Sequence, residues 1–217
     1  MIRGKIYQNK IIAISRGIHA DRIVDTAQAI SRGGIKLFEV TFVHDSHDGV
    51  KETRLSIEKL SSALGGDMIV GAGTVLTVDE VHMAADACAT FIISPDTNIK
   101  VIEETKKLGL VSIPGAMTPT EIVRAYDAGA DFVKVFPASV LGVDYIKAVK
   151  GPLHHIPLIA VGGINKDNAA AFLSAGVSAL GIGGSLVDSK AILSGDFRLL
   201  TERAQGIIKA VSAISAQ

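Results

Sequence analysis

A single cysteine, Cys88, leaves this 217-residue chain without an internal disulfide or a thiolate metal cluster. Charge of one sign is also lacking. The 22 basic and 22 acidic residues are interspersed, the formal net charge is zero, and no block of like charge offers a surface to nucleic acid or another polyanion. No apolar run approaches a membrane span. The opening MIRGKIYQNK is too polar for a secretory signal. These absences together lead to the expectation of a soluble, cytoplasmic protein. No GxGxxG opens the chain, which counts against an open doubly wound sheet.

What is present is apolar content, 48% of residues, enough to bury a large core in one domain spanning residues 1–217. A β-like apolar run followed by a helical stretch recurs eight times. The runs are Ile11–Arg16, Lys36–Phe42, Met68–Val75, Phe91–Pro95, Leu110–Ala116, Phe132–Ala138, Leu158–Ile164 and Ala179–Leu186. Between them lie amphipathic segments such as ADRIVDTAQAISRGG and NIKVIEETKKLG. Several end at a glycine where a C-cap belongs: Gly33–Gly34, Gly65–Gly66, Gly109, Gly129 and Gly176. Two begin with a capping box, Thr77 with Glu80 and Thr118 with Glu121, the second with Pro119 at the first helical position. A last helix runs from Phe197 to about Ser215. Eight βα units without a composition break predict a (β/α)8 TIM barrel, whose chemistry belongs at the C-terminal strand ends.

The sixth run, FVKVFPAS, carries a lysine in an apolar strand. Phe132, Lys134 and Phe136 share one face; Val133 and Val135 share the other. A buried ammonium is costly unless paired, and one that becomes neutral is a nucleophile towards carbonyls. A structural ion pair or a lysine snorkelling out of the strand end is the competing reading. In the second run, KLFEVTF, the more apolar set Phe38, Val40 and Phe42 suits the helix side. Glu39 therefore points into the barrel. Interior layers draw on alternate strands, so Glu39 and Lys134 can meet near the catalytic end as proton shuttle and nucleophile, or as a satisfied structural pair.

Other strand ends extend the candidate set. The third run ends in VGAGTV with the Thr74 hydroxyl, the fourth at Pro95, the fifth at Pro114, and the first at Arg16, whose planar fork suits a carboxylate or phosphate. Glycines and prolines there are also ordinary barrel punctuation. The seventh and eighth runs end in VGGI and IGGS, about twenty residues apart. Paired glycines let backbone N–H groups approach an anion, a following helix N-terminus adds dipole attraction, and these two loops are the usual phosphate site of the fold.

EVT around Glu39, VGAGTVL around Thr74, ISP at Pro95, IPG at Pro114, KVFPA around Lys134, GGI at Gly162–Gly163 and GGS at Gly183–Ser185 occur in order along nearly the whole chain. In this the sequence resembles the class I aldolases of 2-keto-3-deoxy-6-phosphogluconate (KDPG) and related 4-hydroxy-2-oxoacids. The resemblance implies a Schiff-base mechanism without metal or other cofactor. Lys134 would attack the C2 ketone, and Glu39 would move protons through cleavage to pyruvate and glyceraldehyde 3-phosphate. It further implies that Arg16, Thr74, Pro95 and Phe136 line the substrate. Gly162, Gly163, Gly184 and Ser185 would hold its phosphate, and the protein would be a homotrimer. The charge balance and the lack of a long apolar run separately predict no nucleic-acid or membrane partner. Open alternatives are a 4-hydroxy-2-oxoglutarate or galactonate-epimer substrate, and a non-catalytic sugar-phosphate binding barrel.

One position departs from the family. Two residues after EVT, where well-known members carry a carboxylate-binding arginine, stands Val43. Losing such a charge-assisted bond costs about 1.5–3 kcal/mol of binding unless His44 or Arg16 replaces it. The segment His44–Asp48 has metal-ligand composition but also reads as a polar loop and helix start. A metal-dependent phosphosugar epimerase would need His and Asp ligands on several strand ends, which are lacking. His154–His155 precedes the seventh run, at the opposite end of the barrel, and reads as surface. Cys88 reads as a small core residue within a helix.

Overall fold

The computed structural model describes residues 1–45 and 47–212. All nine strands are parallel and form one sheet in the order β5-β4-β3-β2-β1-β9-β8-β7-β6. They are β1 (Ile11–Arg16), β2 (Leu37–Thr41), β3 (Ile69–Gly73), β4 (Phe91–Ile93), β5 (Val111–Ile113), β6 (Gly115–Ala116), β7 (Val133–Val135), β8 (Leu158–Val161) and β9 (Ala179–Ile182). The two ends of the sheet, β5 and β6, are halves of one run split at Pro114, a residue with no N–H for a ladder. β5 pairs with β4 and β6 with β7, so this segment closes the eight runs into a barrel. Pro114 still takes part through its carbonyl, which accepts from the Lys134 N–H at 2.8 Å.

Side chains alternate between two cores, as period-two strands require. Ile12, Leu37, Phe91, Ile93, Phe132 and Ile159 fill the barrel interior, while Ile11, Phe38, Val40, Val133, Val135 and Leu158 face the helices. The expected orientations of the Glu39 and Lys134 strands are therefore observed. The connecting helices include α2 (Ile23–Arg32), α3 (His47–Leu64), α4 (Val78–Asp86), α5 (Ile99–Lys107), α6 (Pro119–Asp127), α7 (Ala138–Lys150), α8 (Ala169–Ser174) and α9 (Ser189–Ser194), with α10 (Phe197–Ser212) last. Both capping boxes form, Thr77–Glu80 on α4 and Thr118–Glu121 on α6. The residues expected to extend the last helix to about Ser215 lie outside the described residues.

One element was not expected. The polar opening segment forms α1 (Ile2–Asn9), which plugs the N-terminal end of the barrel. Its Ile6 is fully buried with the interior set, and Tyr7 lies against Phe132 with ring centroids 4.9 Å apart. Burying one isoleucine contributes about 1.5–3 kcal/mol, and the partly buried Ile2 and the Tyr7 ring add to it. A second expectation needs correction. Cys88 is exposed, just past the C-cap of α4, in the left-handed region at φ 67°, and not in the core. No helix among the described residues is long and apolar enough to cross a membrane.

Candidate active site

Lys134 occupies the middle of β7, with Phe132 on its face towards the interior and Phe136 on its face towards the mouth. Only 6% of the residue is exposed. Burial holds the amine below the ordinary lysine range. Glu39 opposes that shift, Arg16 adds to it, and Asp96 weakly opposes it. Nζ lies 4.7 Å from the Phe136 ring centroid, so its neighbour on that side is an aromatic face instead of water.

Glu39 is 1% exposed on β2, and burial raises its carboxyl to about 7 against the pull of Lys134 and Arg16. Its Oε2 has no hydrogen-bond partner, an unspent acceptor in a buried position. Burial thus drives both groups towards their neutral forms, and each charge partly restores the other. That arrangement separates an acid–base group working near neutrality from an amine able to attack carbon.

Two glycines that read in the sequence as punctuation build this site. A Cβ on Gly73 would overlap the Glu39 carboxyl, so the missing side chain on β3 is the slot that holds it. A Cβ on Gly71, two residues earlier, would meet the Phe91 ring. No local sequence pattern announces this, because both contacts come from neighbouring strands.

At the mouth, the Arg16 guanidinium at the end of β1 donates to Thr74 Oγ1 at 3.1 Å. Thr74 sits at φ 54°, a left-handed conformation that is strained for a β-branched residue and that typically persists at functional sites. Arg16, Glu39, Thr74, Pro95, Lys134, Phe136, Gly162, Gly163, Gly184 and Ser185 all line one cavity of about 530 Å³. Ile14, Val161, Ile164, Asn165, Gly181 and Gly183 complete its wall. Asn165 was not among the sequence candidates. It follows the GGI turn directly, and its carboxamide type was the available signal. The Ser185 hydroxyl donates to Ile164 O at 2.7 Å, so what this residue offers the cavity is its backbone N–H.

Neither Val43 nor His44 lines the cavity. Val43 lies against Gly49 of α3 and lines a separate pocket of about 140 Å³. His44 Nε2 sits 2.8 Å from Glu80 Oε1, the same carboxylate that caps α4. Of the two candidates to replace the missing arginine, only Arg16 is in place. The metal reading of His44–Asp48 falls partly on Ser46 and the His47 side chain, outside the described residues. Among the described residues no group of three or more His, Cys, Asp or Glu could hold a metal ion. His154 and His155 are exposed, as expected.

A parallel barrel with ionisable side chains buried at its C-terminal mouth has the organisation of an α/β-barrel enzyme, and its relatives make that class carbon–carbon lyases, the aldehyde-lyases. The chain belongs to the KDPG and KHG aldolase family, whose model matches residues 2–202. The 2-dehydro-3-deoxy-6-phosphogalactonate aldolase of Escherichia coli K12 is 33% identical over 81% of this chain and 83% of its own length. The 2-dehydro-3-deoxy-phosphogluconate aldolase of Treponema pallidum is 34% identical over 88% of each chain. Among solved structures, native KDPGal superposes with a TM-score of 0.85 at 30% identity, over 95% of this chain and 96% of that one. KDPG aldolase from Legionella pneumophila, with pyruvate captured at low pH as a covalent carbinolamine intermediate, gives 0.84 at 27% identity, over 94% and 97%.

Proposed function

We propose that the chain is a class I aldolase that cleaves a 2-keto-3-deoxy-6-phospho sugar acid to pyruvate and glyceraldehyde 3-phosphate. The observation that carries this reading is the buried Lys134 amine sharing a cavity with a carboxyl raised to about 7. The neutral amine attacks the C2 ketone. Glu39 in its acid form protonates the departing hydroxyl of the carbinolamine, leaving an iminium. As carboxylate, Glu39 then takes the proton of the C4 hydroxyl. The C3–C4 electron pair flows to the iminium nitrogen, and the aldehyde departs. Reprotonation of the enamine at C3 and hydrolysis release pyruvate and restore Lys134.

Arg16 and the Thr74 hydroxyl it holds are the groups of this site suited to the substrate carboxylate, and the glycine turns after β8 and β9 to its phosphate. The captured carbinolamine in the Legionella relative supports the chemistry. The galactonate epimer is the second reading, favoured by the names of the Escherichia coli relative and of the native KDPGal structure. Assay of both epimers decides between them.

Borohydride reduction in the presence of pyruvate tests the reading. It is expected to leave one irreversible adduct, of mass matching reduced pyruvate, on the peptide containing Lys134. No adduct, or one on another residue, overturns it. The same reading carries a homotrimer. An apolar groove between α6 and α7, lined by Pro119, Val123, Tyr145, Val149 and Leu153, supplies surface for such an assembly. Light scattering should then return three times the mass of one chain, and a monomer mass would refute it.

A further inference from the structure

The two glycine turns at the mouth have their carbonyls occupied and several of their amides free. After β8, Asn168 Nδ2 donates to Gly163 O at 2.9 Å, while its Oδ1 accepts from the Asn165 N–H at 2.9 Å. Asn165 Oδ1 accepts in return from the N–H groups of Asp167 and Asn168, at 2.8 and 3.3 Å. After β9, Gly183 O accepts from the N–H groups of Leu186 and Val187, at 2.8 and 2.9 Å. Arg203 on α10 reaches Gly184 O at 3.5 Å and Ser185 O at 3.4 Å, and Asp188 steadies its guanidinium at 3.0 Å.

A peptide unit is planar, and its C=O and N–H point in opposite directions, so holding one end aims the other. The Gly163 carbonyl shares its unit with the Ile164 N–H. The Gly183 carbonyl shares its unit with the Gly184 N–H, and the Gly184 carbonyl with the Ser185 N–H. Those three N–H groups donate to no protein acceptor among the described residues, and all three residues line the cavity. Three uncommitted donors with their carbonyls tied back form a concavity for an anion.

We propose that Asn168 and Arg203 are positioning residues for the distal phosphate. Neither lines the cavity; they act by holding the carbonyl ends of the peptide units whose N–H groups bind the anion. Asn168 is the stronger of the two, with bonds of 2.9 Å on both sides of its carboxamide. Arg203 makes longer contacts that share one nitrogen. This rests on the proposed reading of a phosphorylated substrate.

The test compares condensation of pyruvate with glyceraldehyde 3-phosphate and with unphosphorylated glyceraldehyde. The wild type is expected to favour the phosphorylated aldehyde. Asn168→Leu, similar in size and unchanged in charge, is expected to reduce that preference about tenfold, corresponding to the loss of about 1.4 kcal/mol of anion binding. The loss should appear in the KM for glyceraldehyde 3-phosphate, with pyruvate still captured on Lys134. Arg203→Met, on a different element, should reduce the preference in the same direction by a smaller factor. It also keeps the test available if Asn168→Leu fails to fold. A preference that survives both substitutions, or equal losses for the two aldehydes, overturns the proposal and leaves the phosphate reading standing. A wild type without the preference overturns both.

Discussion

Lys134→Met is expected to lose carbon–carbon bond cleavage by about 10⁴-fold or more, the scale on which enzymes fail when a covalent nucleophile is removed. It should also become more stable. Burial depresses the Lys134 amine in the folded chain, whereas the unfolded chain keeps it near 10.5. Between those two values the unfolded state binds more protons, so this group's contribution rises with pH across that window. Below the depressed value, the cost of burying an ammonium is present in full. Methionine matches the length of the side chain and carries no charge, so the variant should outlast the wild type in urea at neutral pH. The advantage should shrink as pH rises towards 10.5. Loss of activity with gain of stability separates a functional lysine from the structural ion pair that was its rival. Breaking a buried pair from one side typically costs about 3–5 kcal/mol. Residual cleavage within tenfold of wild type, or a variant less stable at pH 7, would count against the assignment.

Much of this site is legible because barrel periodicity is local. The alternation in KLFEVTF and FVKVFPAS determined which face Glu39 and Lys134 occupy, and the repeat of eight runs determined where those faces converge. What could not be read depends on neighbours distant in sequence. Gly73 looks like any strand-end glycine until the Glu39 carboxyl of the adjacent strand is set against it. Asn168 carries no signal in the sequence, and only the fold brings its carboxamide back to Gly163 O. The opening helix escapes notice for another reason. Its apolar face amounts to little more than Ile2 and Ile6, too little for a periodicity argument, and only the empty end of the barrel makes that face useful. For Cys88, residue type suggests burial, whereas the position follows a helix end where the chain turns left-handed. Val43 stands out from the family pattern as the place of a missing cation. The structure adds that this position faces α3 and not the cavity, whose rim carries Arg16.

Glu39→Gln is the second substitution with a large expected effect, and its two consequences have opposite signs. A proton shuttle used in dehydration, cleavage and enamine protonation contributes about 10²–10⁴-fold, so kcat should fall by that factor. Pyruvate should still be captured on Lys134, more slowly, because the amine is intact. The wild-type rate should bend near pH 7, where the carboxyl titrates, and the glutamine variant should lack that bend. Stability moves the other way. The folded carboxyl titrates at about 7 and the unfolded one near 4.5, so between those values the folded chain binds more protons and stability falls as pH rises. Above about 7 the cost of the buried charge is complete. Each tenfold change in proton affinity is equivalent to about 1.4 kcal/mol, and the value of about 7 already includes the attraction of Lys134 and Arg16. The neutral amide should therefore stabilise the fold by about 1–3 kcal/mol at pH 8 and by almost nothing at pH 4. Urea denaturation at the two pH values, with single-turnover cleavage beside it, reads both effects. A variant that cleaves at the wild-type rate would show that this carboxyl is not the shuttle, and a stability difference unchanged between pH 4 and pH 8 would show that it is not destabilised by its burial.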